Sequence, residues 1–205
     1  MKVMLINGSP HKQGCTYTAL AETAKELNNN GIETEICWVG NNGIRDCIAC
    51  GTCASAGKCV FDDVVNEIAG KMSECDGLIV GSPVYYASPN GAVYSLLDRL
   101  FMSCPDLAHK PAAAVASARR AGTTATIDGI LKYFTIRQMP VVSSTYWPMV
   151  HGSKPEDVLQ DEEGLQTMRN LAKNMAWLIK CIDAGKKAGI DIPDAETGAK
   201  TNFIR

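Results

Sequence analysis

The 205-residue chain has no apolar run approaching the roughly 20 residues that cross a bilayer. Its opening apolar stretch, Val3 to Ile6 within Met1–Asn7, is too short for a signal peptide and runs into a glycine turn, so a cytoplasmic location away from membranes is expected. A surplus of one charge is also missing. Lys and Arg number 20 against 22 Asp and Glu, for a net charge of −2, which gives no reason to expect a nucleic-acid partner. Only three histidines are present, so a His-based dyad or triad is a poor expectation. There is no G-x-G-x-x-G for a dinucleotide grip, and no Lys follows Gly14 where a Walker loop requires one. Internal repeats and low-complexity tracts are absent too. What remains is 46% hydrophobic and 20% charged residues, enough to bury a core within one domain.

Strand and helix patterns alternate along the chain. Apolar runs at Lys2–Asn7, Glu33–Val39, Gly77–Val80, Pro111–Ala116 and Pro140–Ser143 read as strands. Helical spacing places Tyr17, Leu20, Ala21, Ala24 and Leu27 on the inner face of a helix over Thr16–Asn29. Further helices are expected after Asp62-Asp63, over Pro89–Phe101, over Thr123–Phe134 and from Glu162 to Asp183. Five βα units imply an α/β three-layer sandwich, flavodoxin-like, with a five-stranded parallel sheet in the order 2-1-3-4-5. Residues 1–185 form that domain, with a Cys-rich insertion at 40–62 and a polar C-terminal extension at 186–205. Ligands in such sheets bind at the carboxyl ends of the strands, where the loops after the first, third and fourth strands converge.

The first of these loops, Gly8–Thr18, offers hydroxyls at Ser9, Thr16 and Thr18, cations at Lys12 and His11, and the free N–H groups of a helix start that also carries Tyr17. Such a set binds a phosphate through oriented donors and the helix dipole. An N-capping turn without a ligand is the alternative. The third-strand loop carries Pro83-Val84-Tyr85-Tyr86, an apolar and aromatic wall with backbone N–H groups. The loop after the fourth strand carries Ser117, Arg119, Arg120 and Gly122, with two adjacent cations able to face developing negative charge or dinucleotide phosphates.

Gly8-Ser9-Pro10-His11-Lys12 with Thr16, then Gly81-Ser82-Pro83-Val84-Tyr85-Tyr86, then Asp98-Arg99, resembles the NAD(P)H-dependent FMN reductases and iron–sulfur flavoproteins of the flavodoxin-like superfamily, over roughly residues 1–180. The resemblance implies FMN as cofactor, with Ser9, His11, Thr16 and Thr18 on its phosphate and Pro83–Tyr86 along its ring. It also implies NAD(P)H as electron donor, and assembly as a homodimer or homotetramer. The chain departs from the family at His11, where Arg is common, and at Cys15, where Asn is common. No protein residue is expected to be catalytic, because the flavin carries the chemistry.

Nine cysteines are many for a reducing compartment. Cys47, Cys50, Cys53 and Cys59 form C-x2-C-x2-C-x5-C, and four thiolates so close together can ligate a [4Fe–4S] cluster. This compact spacing resembles that of the iron–sulfur flavoproteins, while relatives with FMN alone also keep cysteines here. Two functions therefore stand side by side. One is an FMN-dependent NAD(P)H oxidoreductase passing electrons to a quinone, free flavin or other small acceptor. The other is an iron–sulfur flavoprotein carrying electrons with a partner such as ferredoxin. A thiol-based redox sensor is the third.

Overall fold

Four apolar residues bounded by Lys2 and Asn7 and stopped by Gly8 form the interior strand β1 (Lys2–Asn7). In the computed structural model, which describes residues 1–104, 106–199 and 201, β2 (Glu33–Trp38) and β3 (Gly77–Tyr85) lie parallel on either side of β1. A two-residue strand, β4 (Ser88–Pro89), folds back antiparallel on the end of β3. β5 (Ala112–Ala118) and β6 (Met149–His151) complete a sheet of order β2-β1-β3-β5-β6. This is the expected flavodoxin-like order, with β4 added at its rim.

The helices are α1 (Cys15–Asn29), α2 (Thr52–Ala56), α3 (Val64–Met72), α4 (Gly91–Ser103), α5 (Thr123–Ile136), α6 (Pro155–Val158) and α7 (Glu162–Lys187). Strand alternation divides the core. Met4, Ile6, Leu78, Val80, Ala114 and Ala116 face α3, α4 and α5. Val3, Leu5, Ile79, Ala113 and Val115 face α1 and α7. Each fully buried Leu, Ile or Phe contributes about 1.5–3 kcal/mol. Among the described residues no helix is long and apolar enough to cross a membrane.

Four expectations require correction. Pro140–Ser143 is not a regular strand. Ala112 exchanges hydrogen bonds with Pro140 and Val142 at 2.9 and 2.8 Å to make an isolated bridge at Val141. The chain then leaves the sheet and rejoins it as β6. The excursion is favoured by its own chemistry: Ser143 O, the Ser144 hydroxyl and the Thr145 hydroxyl all find partners on α7 (Asn174, Thr167 and Asn170). β3 runs five residues past Val80, because its parallel neighbour β5 continues to pair with Ser82 and Pro83. On α1 the buried face is Thr16, Ala19, Leu20, Thr23, Ala24 and Leu27, so Tyr17 and Ala21 are only half-buried. α7 extends to Lys187, and residues 190–199 of the expected C-terminal extension carry no regular element. Its Lys200 and residues 202–205 lie outside the described residues.

Glu35 on β2 lies between the ammonium groups of Lys2 and Lys71, each at 2.7 Å. Their hydrogen bonds, that of Lys2 first, hold its carboxyl down to about 2 from an ordinary 4.5. The resulting stabilisation is fully present above pH 4.5 and is lost as pH falls through the folded value. Being half-exposed, the triad is worth under about 1 kcal/mol. Glu35→Gln should therefore lower urea-unfolding stability slightly at pH 7, with the difference from wild type shrinking below pH 4.5.

Candidate functional site

Three loops meet at the carboxyl ends of β1, β3 and β5. The β1 loop reaches the β3 loop through Gly8, whose N–H donates to Gly81 O at 2.9 Å and whose carbonyl accepts from Asn90 Nδ2 at 3.1 Å. A Cβ on Gly8 would lie 2.2 Å from Val93 Cγ2 and 2.8 Å from Gly81 O, so this approach requires glycine. The β1 loop meets the β5 loop through Thr16 and Ser117, whose buried hydroxyls are 2.8 Å apart. Gly122, at φ +89°, comes so near the β3 loop that a Cβ would lie 2.7 Å from Val84 Cγ1. Both its left-handed backbone and this contact call for glycine.

The β1 loop is internally braced. Ser9 is buried, its N–H donates to Asn7 Oδ1, and its hydroxyl accepts from His11 N–H at 3.1 Å. Trp38 Nε1 donates to Ser9 O at 2.8 Å, and the Trp38 ring lies 5.7 Å beneath the Lys12 ammonium. α1 begins at Gly14 with no side-chain cap, so its first N–H groups face the loop. Of the expected phosphate residues, Ser9 and Thr16 are buried at the helix start, while His11 and Lys12 are exposed above it. Thr18 turns its hydroxyl back to Gly14 O at 3.2 Å, and Tyr17 is half-buried on the first turn. A groove of about 620 Å³ runs along this loop, and Lys154, from the segment after β6, lines its far side. An uncapped helix start and Lys12 and Lys154 on opposite walls of this groove fit a phosphate monoester such as that of FMN, while the Ser9 and Thr16 hydroxyls are buried next to it, bonded to His11 N–H and to Ser117.

Pro83 and Val84 are half-buried on the last turn of β3, Tyr85 is exposed, and Tyr86 is fully exposed at the hairpin tip. Tyr86 holds φ at +61°, in a tight turn closed by Ala87 N–H to Tyr85 O at 2.8 Å. The left-handed backbone belongs to the hairpin turn between β3 and β4, which leaves the Tyr86 ring in solvent. Arg119 and Arg120 are exposed beyond β5, and no carboxylate pairs with either among the described residues. Asn7, Trp38, Asn90 and Lys154 were not singled out by the sequence. The signal for Asn90 was available, as an Asn before a Gly-initiated helix is a strong N-cap.

The Cys-rich segment lies beside α4. Left-handed Ala49, Gly51 and Gly57 wrap it tightly around the single-turn α2. Cys47, Cys50, Cys53 and Cys59 all line one cavity of about 140 Å³. The Thr52 hydroxyl and N–H beside Cys50 lower that thiol from its ordinary range, toward the thiolate that metal ligation requires. Among the described residues no three His, Cys, Asp or Glu side chains stand close enough together to hold a single metal ion. Four cysteines spaced around a common cavity suit a polynuclear cluster, whose own body separates its ligands.

Two helices fix Cys59. Asn66 on α3 brackets its backbone, accepting from its N–H and donating to its carbonyl, both at 3.0 Å. Arg99 on α4, only 1% exposed, donates from Nε to its sulfur at 3.1 Å. The rest of the guanidinium forks onto Asp63 at 2.7 and 2.8 Å and reaches the carbonyls of Arg45 and Phe61. Partial burial alone would raise the Asp63 carboxyl; the Arg99 hydrogen bonds, with Val65 N–H, outweigh it and hold it below its usual range. The Phe61 ring lies between the Arg45 and Arg99 guanidiniums at 5.0 and 5.1 Å. One turn earlier on α4, Ser95 donates to Asp46.

The profile of the NADPH-dependent FMN reductases matches residues 1–154. An iron–sulfur flavoprotein of Methanocaldococcus jannaschii is 37% identical over 195 residues, covering 89% of this chain and 99% of its own. One from Methanosarcina thermophila is 32% identical over 196 residues, covering 91% and 99%. Among solved structures, RosB with bound 8-demethyl-8-formylriboflavin-5'-phosphate superposes with a TM-score of 0.68 at 16% identity, over 100% of this chain and 94% of its own. At that identity the likeness concerns the fold.

Proposed function

The chain belongs to the NADPH-dependent FMN reductase family, and from that premise we propose that it is an FMN-dependent oxidoreductase pairing the flavin with a [4Fe–4S] cluster on Cys47, Cys50, Cys53 and Cys59. The observation that carries the proposal is the convergence of these four cysteines on one cavity, with a buried guanidinium hydrogen-bonded to one sulfur. Two of the most similar relatives carry the name iron–sulfur flavoprotein, which supports the same reading.

Ser9, Thr16 and the α1 N–H groups bind the flavin phosphate, with Lys12 and Lys154 supplying positive charge and His11 a ring N–H donor around it. Thr18 and Tyr17, on the first turn of α1, border the same phosphate. Pro83–Tyr86 and the Ser117–Gly122 loop border the ring, and Arg119 or Arg120 stabilises charge on the reduced form. When bound, FMN would supply hydride exchange with NAD(P)H and single-electron exchange with a cluster held by the four cysteines. The acceptor is a quinone, a free flavin or another small molecule, or a one-electron partner such as ferredoxin. Fully exposed Tyr86 suits a contact completed by a second copy of the chain, in a homodimer or homotetramer.

Protein purified without oxygen should show flavin absorption bands over a broad iron–sulfur background, with equimolar iron and acid-labile sulfide. Colourless protein that takes up no FMN would remove the flavin reading. A flavin-only spectrum after iron and sulfide reconstitution would remove the cluster and leave an FMN reductase alone.

A further inference from the structure

Among the described residues Arg99 is the largest fully buried side chain and the only buried Lys or Arg. A buried guanidinium must satisfy five N–H donors and offset its charge. Arg99 does both, and its partners are informative. Four of its five hydrogen bonds go to oxygens, two of them on the Asp63 carboxylate, which neutralises the charge. The fifth, from Nε, is aimed at sulfur, although sulfur is a weak acceptor as a thiol and a strong one only as a thiolate. The Cys59 backbone is already secured by Asn66, so the loop does not need this bond to be held in place.

We propose that Arg99 is a positioning residue for the cysteine cavity, and that its Nε–H bond to the Cys59 sulfur raises the reduction potential of the cluster bound there. The inference rests on the reading of the four cysteines as cluster ligands. A donor aimed at a ligand sulfur stabilises the more negative, reduced cluster, which is one of the main ways a protein tunes such potentials. Because Asp63 cancels the formal charge, the tuning resides in the oriented N–H dipole. Lysine cannot replace it: an ammonium carries its three N–H groups on one atom and cannot fork onto Asp63 while reaching Cys59.

The test is potentiometric titration of the holoprotein, followed by EPR for the cluster and by absorbance for FMN, in wild type, Arg99→Lys, Arg99→Gln and Ser95→Ala. In both Arg99 variants the reduced-to-oxidised ratio of the cluster at a fixed poise should fall about tenfold, ~59 mV for a one-electron couple. The shift should be larger for Gln, which also leaves Asp63 unpaired. The flavin potential should stay in place. Ser95→Ala loosens the same loop without touching a sulfur and should leave the cluster potential unchanged. Arg99 variants that keep their iron with an unshifted potential would overturn the proposal. So would an equal shift in Ser95→Ala, or folded Arg99→Lys and Arg99→Gln proteins that both lose iron, since each would make the role one of loop retention. Wild-type protein without iron and sulfide after reconstitution would instead reject the cluster reading beneath it.

Discussion

An alanine at position 8 should strip FMN from the protein while leaving the cysteine segment intact. The methyl group would lie 2.2 Å from Val93 Cγ2, a stiff β-branched side chain on α4, and 2.8 Å from the Gly81 carbonyl on β3. Neither neighbour can move without disturbing the core, so overpacking costs about 1–3 kcal/mol. The loop's relief is to lift away from β3. That breaks Gly8 N–H to Gly81 O and Asn90 Nδ2 to Gly8 O, about 1 kcal/mol each. The donors that bind the phosphate would then no longer converge. Even half of this strain, paid at binding, lowers FMN affinity by more than ~10-fold. Flavin fluorescence titration of apoprotein measures the loss directly. Adding Val93→Ala removes the nearer clash and should restore part of the affinity. If Gly8→Ala alone binds FMN like wild type, the proposed phosphate loop is wrong.

Cys59→Ser should abolish iron and sulfide incorporation and leave FMN bound. Cys59 is half-buried and anchored at its backbone by Asn66 and at its sulfur by Arg99. A serine hydroxyl is a poor substitute for a thiolate toward iron. The effect should extend to folding of the segment. Its Ile48 and Val60 are exposed, and none of the residues of its single helical turn is buried. Without metal the loop has little apolar burial of its own, and ligand binding then contributes directly to its stability. Limited proteolysis should therefore cut the variant between residues 45 and 61 faster than loaded wild type. Cys181→Ser, an exposed change on α7, is the control and should alter neither iron nor flavin. Full iron content in Cys59→Ser would remove that residue from the ligand set.

Much of this architecture is legible in the sequence because it depends on local periodicity. The buried strands at Lys2–Asn7 and Gly77–Val80, the capped helix after Asp63 and the long amphipathic helix from Glu162 all follow from patterns a few residues wide. Features that depend on distant partners were not legible. β3 continues through Pro83 because β5 pairs with it. The expected strand at Pro140–Ser143 breaks because three polar residues find hydrogen bonds on α7. Among site residues, Ser9 and Thr16 are buried at the start of α1, and the Thr18 hydroxyl on its first turn bonds its own helix, a contact no motif position records. Trp38 and Lys154 approach the β1 loop from separate segments and left no local mark. Arg99 left a faint one: Ser95, Arg99 and Ser103 form an i, i+4, i+8 stripe beside the apolar face of α4, and all three are buried. A polar stripe in that place announces a polar neighbour, here the cysteine loop.

α4 has a second property that follows from its two ends. Asn90 at its start grips the β1 loop, and Arg99 near its end grips Cys59. Nine residues separate them, a rise of about 13 Å and two and a half turns. The helix therefore works as a gauge block, setting both the gap between the two loops and the angle at which each is presented. Side chains on its outer surface are free to vary, but their number is not. A single inserted residue between Asn90 and Arg99 would leave the first grip in place and swing the guanidinium by about 100°, away from the sulfur. Departing by three or four residues restores the angle but changes the gap by about a turn. In chains built on this plan, the length of this one helix should be fixed more strictly than its composition.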